Sequence, residues 1–90
     1  MTEMGFEVTE VQQTPNPNAA KFMLDREVAP QPTSFFNAAQ ADGHPLAKKL
    51  FAIPGVTSLL LLGDFVTVNK DADTPWKEIT TGVKRVLATI

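Results

Sequence analysis

Apolar residues run in two short blocks on either side of a Gly-Asp pair, and the rest of the chain is arranged around them. Leu59-Leu60-Leu61-Leu62 leads into Gly63-Asp64, and Phe65-Val66-Thr67-Val68 follows. A glycine at the first central position of a two-residue turn supplies the positive φ of a type II′ hairpin. Such a turn opposes Leu62 to Phe65, Leu61 to Val66, Leu60 to Thr67 and Leu59 to Val68. Opposed residues share a face of the ribbon. Leu59, Leu61, Val66 and Val68 therefore form one wholly apolar face, the expected floor of a core. Leu60, Leu62, Phe65 and Thr67 form the other, apolar only near the turn.

The remaining pattern supplies what could cover that floor. Residues 6–12 alternate imperfectly through Phe6, Val8 and Val11 and predict a strand; residues 20–24 predict a second. Between them stands Thr14-Pro15-Asn16-Pro17-Asn18. Its prolines fix φ and withdraw donors, and its asparagines suit turns, so it reads as a hairpin connection. Residues 25–40 read as a loop because Pro30 and Pro32 argue against regular structure, with a short edge strand over 33–37 around Phe35 and Phe36. Leu46, Leu50 and Ile53 recur at helical spacing, which predicts a helix entered at His44-Pro45 and ended by Pro54-Gly55. Thr74 and Pro75 predict the N-cap and first position of a second helix of about four turns. Trp76, Ile79, Val83, Val86, Leu87 and Ile90 make its apolar stripe. Gly82 in its middle costs about 1 kcal/mol against alanine, which a close approach to the sheet would explain. The order ββαββα predicts an α+β fold. It comprises a largely antiparallel four-stranded sheet with two helices on one face, all within one domain spanning residues 1–90.

Composition removes several classes of function. A net charge of −2 argues against a nucleic-acid binder driven by phosphate contacts. Cysteine is absent, which excludes a thiolate nucleophile and any cysteine-held zinc or iron–sulfur site in this chain. The acidic start, Met-Thr-Glu-Met-Gly-Phe-Glu, does not read as a signal or transit peptide, and no apolar run approaches a membrane span. The expected location is the cytoplasm. The single imidazole, His44, falls at a helix start and reads as a cap rather than a catalytic base. Asp71 and Asp73 read as turn residues beside the second helix start, and Asp64 as turn chemistry. No phosphate-cradling glycine loop is present. The chain is expected to be neither an enzyme nor the holder of a cofactor or metal.

Two features exceed what a fold demands. The doubly proline-stiffened loop of Thr14, Pro15, Asn16, Pro17 and Asn18, followed by Lys21, would lose little entropy on binding a partner. The apolar end of the second hairpin face, Leu60, Leu62 and Phe65, is either covered by residues 25–40 or exposed as a contact patch.

These residues also carry a resemblance. Thr14-Pro15-Asn16-Pro17-Asn18-Ala19-Ala20-Lys21-Phe22, His44-Pro45-Leu46-Ala47, Leu50-Phe51-Ala52-Ile53-Pro54-Gly55-Val56, Gly63-Asp64-Phe65-Val66-Thr67-Val68-Asn69-Lys70 and a late Trp76 follow one another in order. The series resembles the N-terminal domain of the NifU-like (Nfu) iron–sulfur scaffold proteins. The resemblance implies an accessory domain concerned with contacts to protein partners, iron–sulfur assembly or recipient proteins among them. In full-length relatives a separate domain with Cys-x-x-Cys holds the cluster, and nothing here corresponds to it. His44 stands where that family has a capping serine, and Gly82 where proline is common. The alternative reading is a structural or self-associating module; on either one the expected state is a monomer or weak homodimer.

Overall fold

The structure is a computed structural model that describes residues 5–89. Its strands are β1 (Val8–Gln13), β2 (Ala19–Leu24), β3 (Ala29–Phe35), β4 (Val56–Gly63) and β5 (Phe65–Lys70). Its helices are α1 (Pro45–Phe51) and α2 (Trp76–Thr89), with a single 3-10 turn over Ala38–Ala41. The strands form one antiparallel sheet in the order β1-β2-β5-β4-β3. The two hairpins meet along β2 and β5, where Phe22 opposes Val66 and Ala20 opposes Val68.

The β4–β5 hairpin has the register that the turn dictates. Leu62 pairs with Phe65, Leu61 with Val66, Leu60 with Thr67 and Leu59 with Val68, around a Gly63 at φ 57. Leu59, Leu61, Val66 and Val68 are buried against Leu46, Ala47 and Leu50 of α1 and Ile79, Val83 and Leu87 of α2. Both helices therefore cover the same sheet face, and Phe22 and Leu24 extend that face onto β2.

The sheet has five strands rather than four, and the extra one corrects the loop expected over 25–40. β3 runs Ala29–Phe35, starting earlier than the short strand expected at 33–37 and leaving Phe36 outside, 71% exposed. Pro30 and Pro32 are tolerated because β3 is an edge strand paired with β4 alone, and its register is irregular between Ala29 and Thr33. An edge strand can turn a residue without an N–H toward solvent without losing a ladder bond.

The helix starts differ in how they are capped. His44 is the N-cap of α1: its Nδ1 accepts the Ala47 N–H at 3.2 Å and its ring meets Phe35 edge-on at 5.2 Å. The imidazole thus supplies the acceptor that a serine would. α1 ends at Phe51, so Ile53 packs from the following turn instead of from the helix. Thr74 does not cap α2 as the sequence suggests; its N–H goes to the Asp71 carboxylate at 2.9 Å, and Pro75 supplies the first accepting carbonyl to Glu78 and Ile79. Gly82 faces Ile53 and not the sheet: a Cβ there would lie 3.1 Å from the Ile53 side chain.

Candidate functional site

Residues 14–18 connect β1 to β2 as expected, and most of their polarity is consumed inside the loop. The Thr14 hydroxyl accepts the Asn16 N–H at 3.1 Å and lies within bonding distance of the Asn16 and Ala19 carbonyls. Asn16 Oδ1 accepts the Asn18 N–H at 2.9 Å, an Asx turn that fixes Pro17 between them. The Nδ2 groups of Asn16 and Asn18 have no partner among the described residues.

Two residues far along the chain brace this loop. Lys70 lies on the core face by the alternation of Val66 and Val68, and is only 8% exposed. Its ammonium donates to Asn18 Oδ1 at 3.2 Å and to the Asp71 carbonyl at 3.0 Å, and sits 5.4 Å from the Trp76 ring centre. A buried cation needs such partners. The Trp76 indole N–H donates to the Pro17 carbonyl at 2.8 Å, while its ring tilts onto Phe22 at 6.4 Å. The loop, the end of β5 and the start of α2 are thus one bonded unit. Asp71, next to Lys70, is held below its ordinary pKa. The hydrogen bond with the Thr74 side chain contributes most, the Thr74 and Asp73 backbone donors and the Lys70 charge add to it, and desolvation opposes them.

The second candidate surface is the sheet face that the helices leave bare. Leu60 and Leu62 of β4 and Phe65 of β5 are half-buried there, and Thr67 borders them. Residues 25–40 do not cover this patch, because they pair at the edge of the sheet instead of crossing its face. Met23 of β2 opposes Phe65 and extends the patch across three strands. Lys21 belongs here as well: its Nζ stands 4.4 Å over the Phe65 ring. The loop and the patch are not one site. Ala19 opposes Asn69 while Met23 opposes Phe65, so about 13 Å of strand separates them.

The one imidazole, His44, has its Nδ1 engaged as a cap, and among the described residues no hydroxyl or amine side chain is hydrogen-bonded to it. Among the described residues no three His, Cys, Asp or Glu side chains converge as metal ligands. A shallow groove of about 650 Å³ between the helices is lined by Ile53, Pro54, Gly82 and Val86. No helix of the described residues is long and apolar enough to cross a membrane. Sequence reasoning missed Met23 and the roles of Lys70 and Trp76. The alternation of Val66, Val68 and Lys70 did place a lysine on the core face, which was the one available signal.

Comparison with known proteins gives a consistent answer. Residues 8–90 match the family described as scaffold protein Nfu/NifU, N terminal. A NifU-like protein of Schizosaccharomyces pombe is 39% identical over 80 residues, covering 84% of this chain and 30% of its own length. The mitochondrial NFU1 iron-sulfur cluster scaffold homolog of Drosophila ananassae is 35% identical over 80 residues, covering 87% of this chain and 28% of its own length. The chain therefore spans less than a third of these curated relatives. Among solved structures, a NifU-like protein from Saccharomyces cerevisiae superposes with a TM-score of 0.79 at 27% identity, covering 98% of this chain and 81% of that one. Protein SAV1430 from Staphylococcus aureus shares the fold, with a TM-score of 0.75 at 22% identity over 89% of this chain and 96% of that one.

Proposed function

Because the chain belongs to the Nfu/NifU N-terminal family of scaffold proteins, we propose that it is a non-catalytic interaction domain of iron–sulfur cluster biogenesis, docking a protein partner and not itself ligating a cluster. The observation that carries this reading is the sheet face that neither helix covers, where Met23, Leu60, Leu62 and Phe65 lie half-buried side by side across three strands. A contiguous apolar patch of this kind marks a contact surface. Lys21 and Thr67 give it a polar border, as interfaces have. The residues present do not fit a resident cluster, since the chain has no cysteine to supply thiolates. The partners in this reading are iron–sulfur assembly or recipient proteins, with the sheet patch as the contact and residues 14–18 as a rigid flank.

The test is a binding titration of purified cluster-assembly proteins against the wild-type chain and Phe65→Ser. Loss of binding with an unchanged fold supports the reading, and equal binding sinks it. Sedimentation of the same pair separates a partner surface from self-association, because a dimer that becomes monomeric in Phe65→Ser assigns the patch to a second copy. Anaerobic incubation with iron and sulfide should leave the lone chain without a stoichiometric cluster.

A further inference from the structure

The two edges of the sheet are not equivalent. β3 is blunted by Pro30 and Pro32, both exposed, and by its irregular register. β1, at the other edge, has no proline, pairs only with β2, and has its one irregularity at the far end, between Val8 and Glu10. Over Val11–Gln13 its outer side thus presents the N–H and C=O of every second residue, and among the described residues no strand takes them up.

This edge is also one wall of a groove. α2 lies alongside β1 and runs the opposite way, tied at one end by Trp76 to the Pro17 carbonyl and at the other by the Phe6 N–H to the Leu87 carbonyl at 2.6 Å. The helix does not reach over the strand, so Val11 stays 38% exposed although it opposes the fully buried Phe22 on the core side. The step between them holds a cleft of about 140 Å³ bounded by Val11, Gln13, Pro17, Trp76 and Thr80. One turn further along α2, Lys84 overlooks a second hollow beside Phe6 and Val8.

We propose that an extended, proline-free segment of a protein partner adds to β1 as a sixth strand, seating an aliphatic side chain in the Val11–Trp76–Thr80 cleft and a carboxylate beside Lys84. The spacings agree: Thr80 to Lys84 spans about 6 Å of helix, and two strand residues span about 6.6 Å. A segment antiparallel to β1 runs in the direction of α2, so it reads aliphatic, any residue, acidic. Lys84 has no carboxylate within ion-pair distance among the described residues. Of its neighbours in that hollow, Asp25 is engaged by Arg26 and by the Glu7 N–H, Arg26 also donates to the Gly5 carbonyl, and the exposed Glu7 makes no ion pair with Lys84. A second copy of the chain fits less well. The core-side residues of its own β1, Val8, Val11 and Gln13, bring no acid to Lys84. The proposal shares with the proposed function only the premise that the partner is a protein; it uses a different surface from the Phe65 patch.

The test is selection of a displayed library of random short peptides against the intact chain, followed by amide NMR titration of the synthetic winners. The expected winners share the aliphatic-x-acidic pattern without proline and shift the amides of β1, Thr80 and the Trp76 indole. N-methylation of alternate peptide nitrogens should abolish binding in one phase and spare it in the other, the signature of strand addition. Lys84→Glu should weaken acidic winners roughly fivefold and favour basic ones, while Phe65→Ser should leave them bound. The proposal is overturned if no peptide is enriched, if winners shift Phe65 and not β1, if both N-methylation phases are tolerated, or if the free chain dimerises through β1.

Discussion

The loop over 14–18 and the patch around Phe65 flank opposite ends of β2, and they use their side chains in opposite ways. In the loop nearly every acceptor is engaged from within: Thr14, Asn16 and Asn18 bond neighbouring backbone or the buried Lys70, and Pro17 holds the Trp76 indole. In the patch Met23, Leu60 and Leu62 lie half-buried on the sheet face that neither helix covers. Two prolines and two asparagines in a short turn suggest a binding motif, yet their geometry is that of a brace. The plain run of leucines, alternately buried and half-buried, is where surface remains to be covered. Motif density and free contact capacity are different quantities.

Substitutions can break or sharpen this contrast. Trp76→Ala should have the largest effect on stability, about 3 kcal/mol in urea denaturation, because it removes the ring on Phe22 and the Pro17 bond together. A loss well under 1 kcal/mol would mean that the loop does not depend on α2. Lys70→Met keeps the stem but leaves Asn18 Oδ1 and the Asp71 carbonyl without their donor, and should cost about 2 kcal/mol. Phe65→Ser should cost only about 1 kcal/mol, from a half-exposed ring and its Lys21 contact, while removing partner binding. If it destabilised the chain as much as Trp76→Ala, the patch would be core and the contrast would fail. The smallest effect belongs to Asp71. Its pKa is lowered in the folded chain, so its stabilisation is complete above the unfolded value of about 3.9 and fades as pH falls through the lower folded value. Asp71→Asn should flatten that acid limb of the stability curve.

Much of the fold can be read from local chemistry, and what escapes such reading is long-range. Gly63 fixes the β4–β5 register because a turn that needs positive φ leaves no freedom to slip. His44-Pro45 marks the start of α1 through capping rules that act within three residues. The second half of β3 is legible as an edge strand around Phe35. Its first half, with Pro30 and Pro32, escapes because proline vetoes a strand only when both sides are paired, and that depends on the whole sheet. Met23 escapes because β2 must first be known to lie beside β5. The bonds from Trp76 to Pro17 and from Lys70 to Asn18 join residues 59 and 52 positions apart, a separation that no local pattern encodes.

Trp76 has a consequence of a practical kind. It is the only tryptophan in a chain without tyrosine, so ultraviolet emission from this protein comes almost wholly from one indole. That indole sits at the lip of the groove beside β1, with its N–H anchored to the opposite rim. Unfolding should wet the ring and redden its light, whereas a strand settling into the cleft should dry it and shift the light to the blue. The chain carries its own optical gauge, and the sign of the colour change tells docking from collapse.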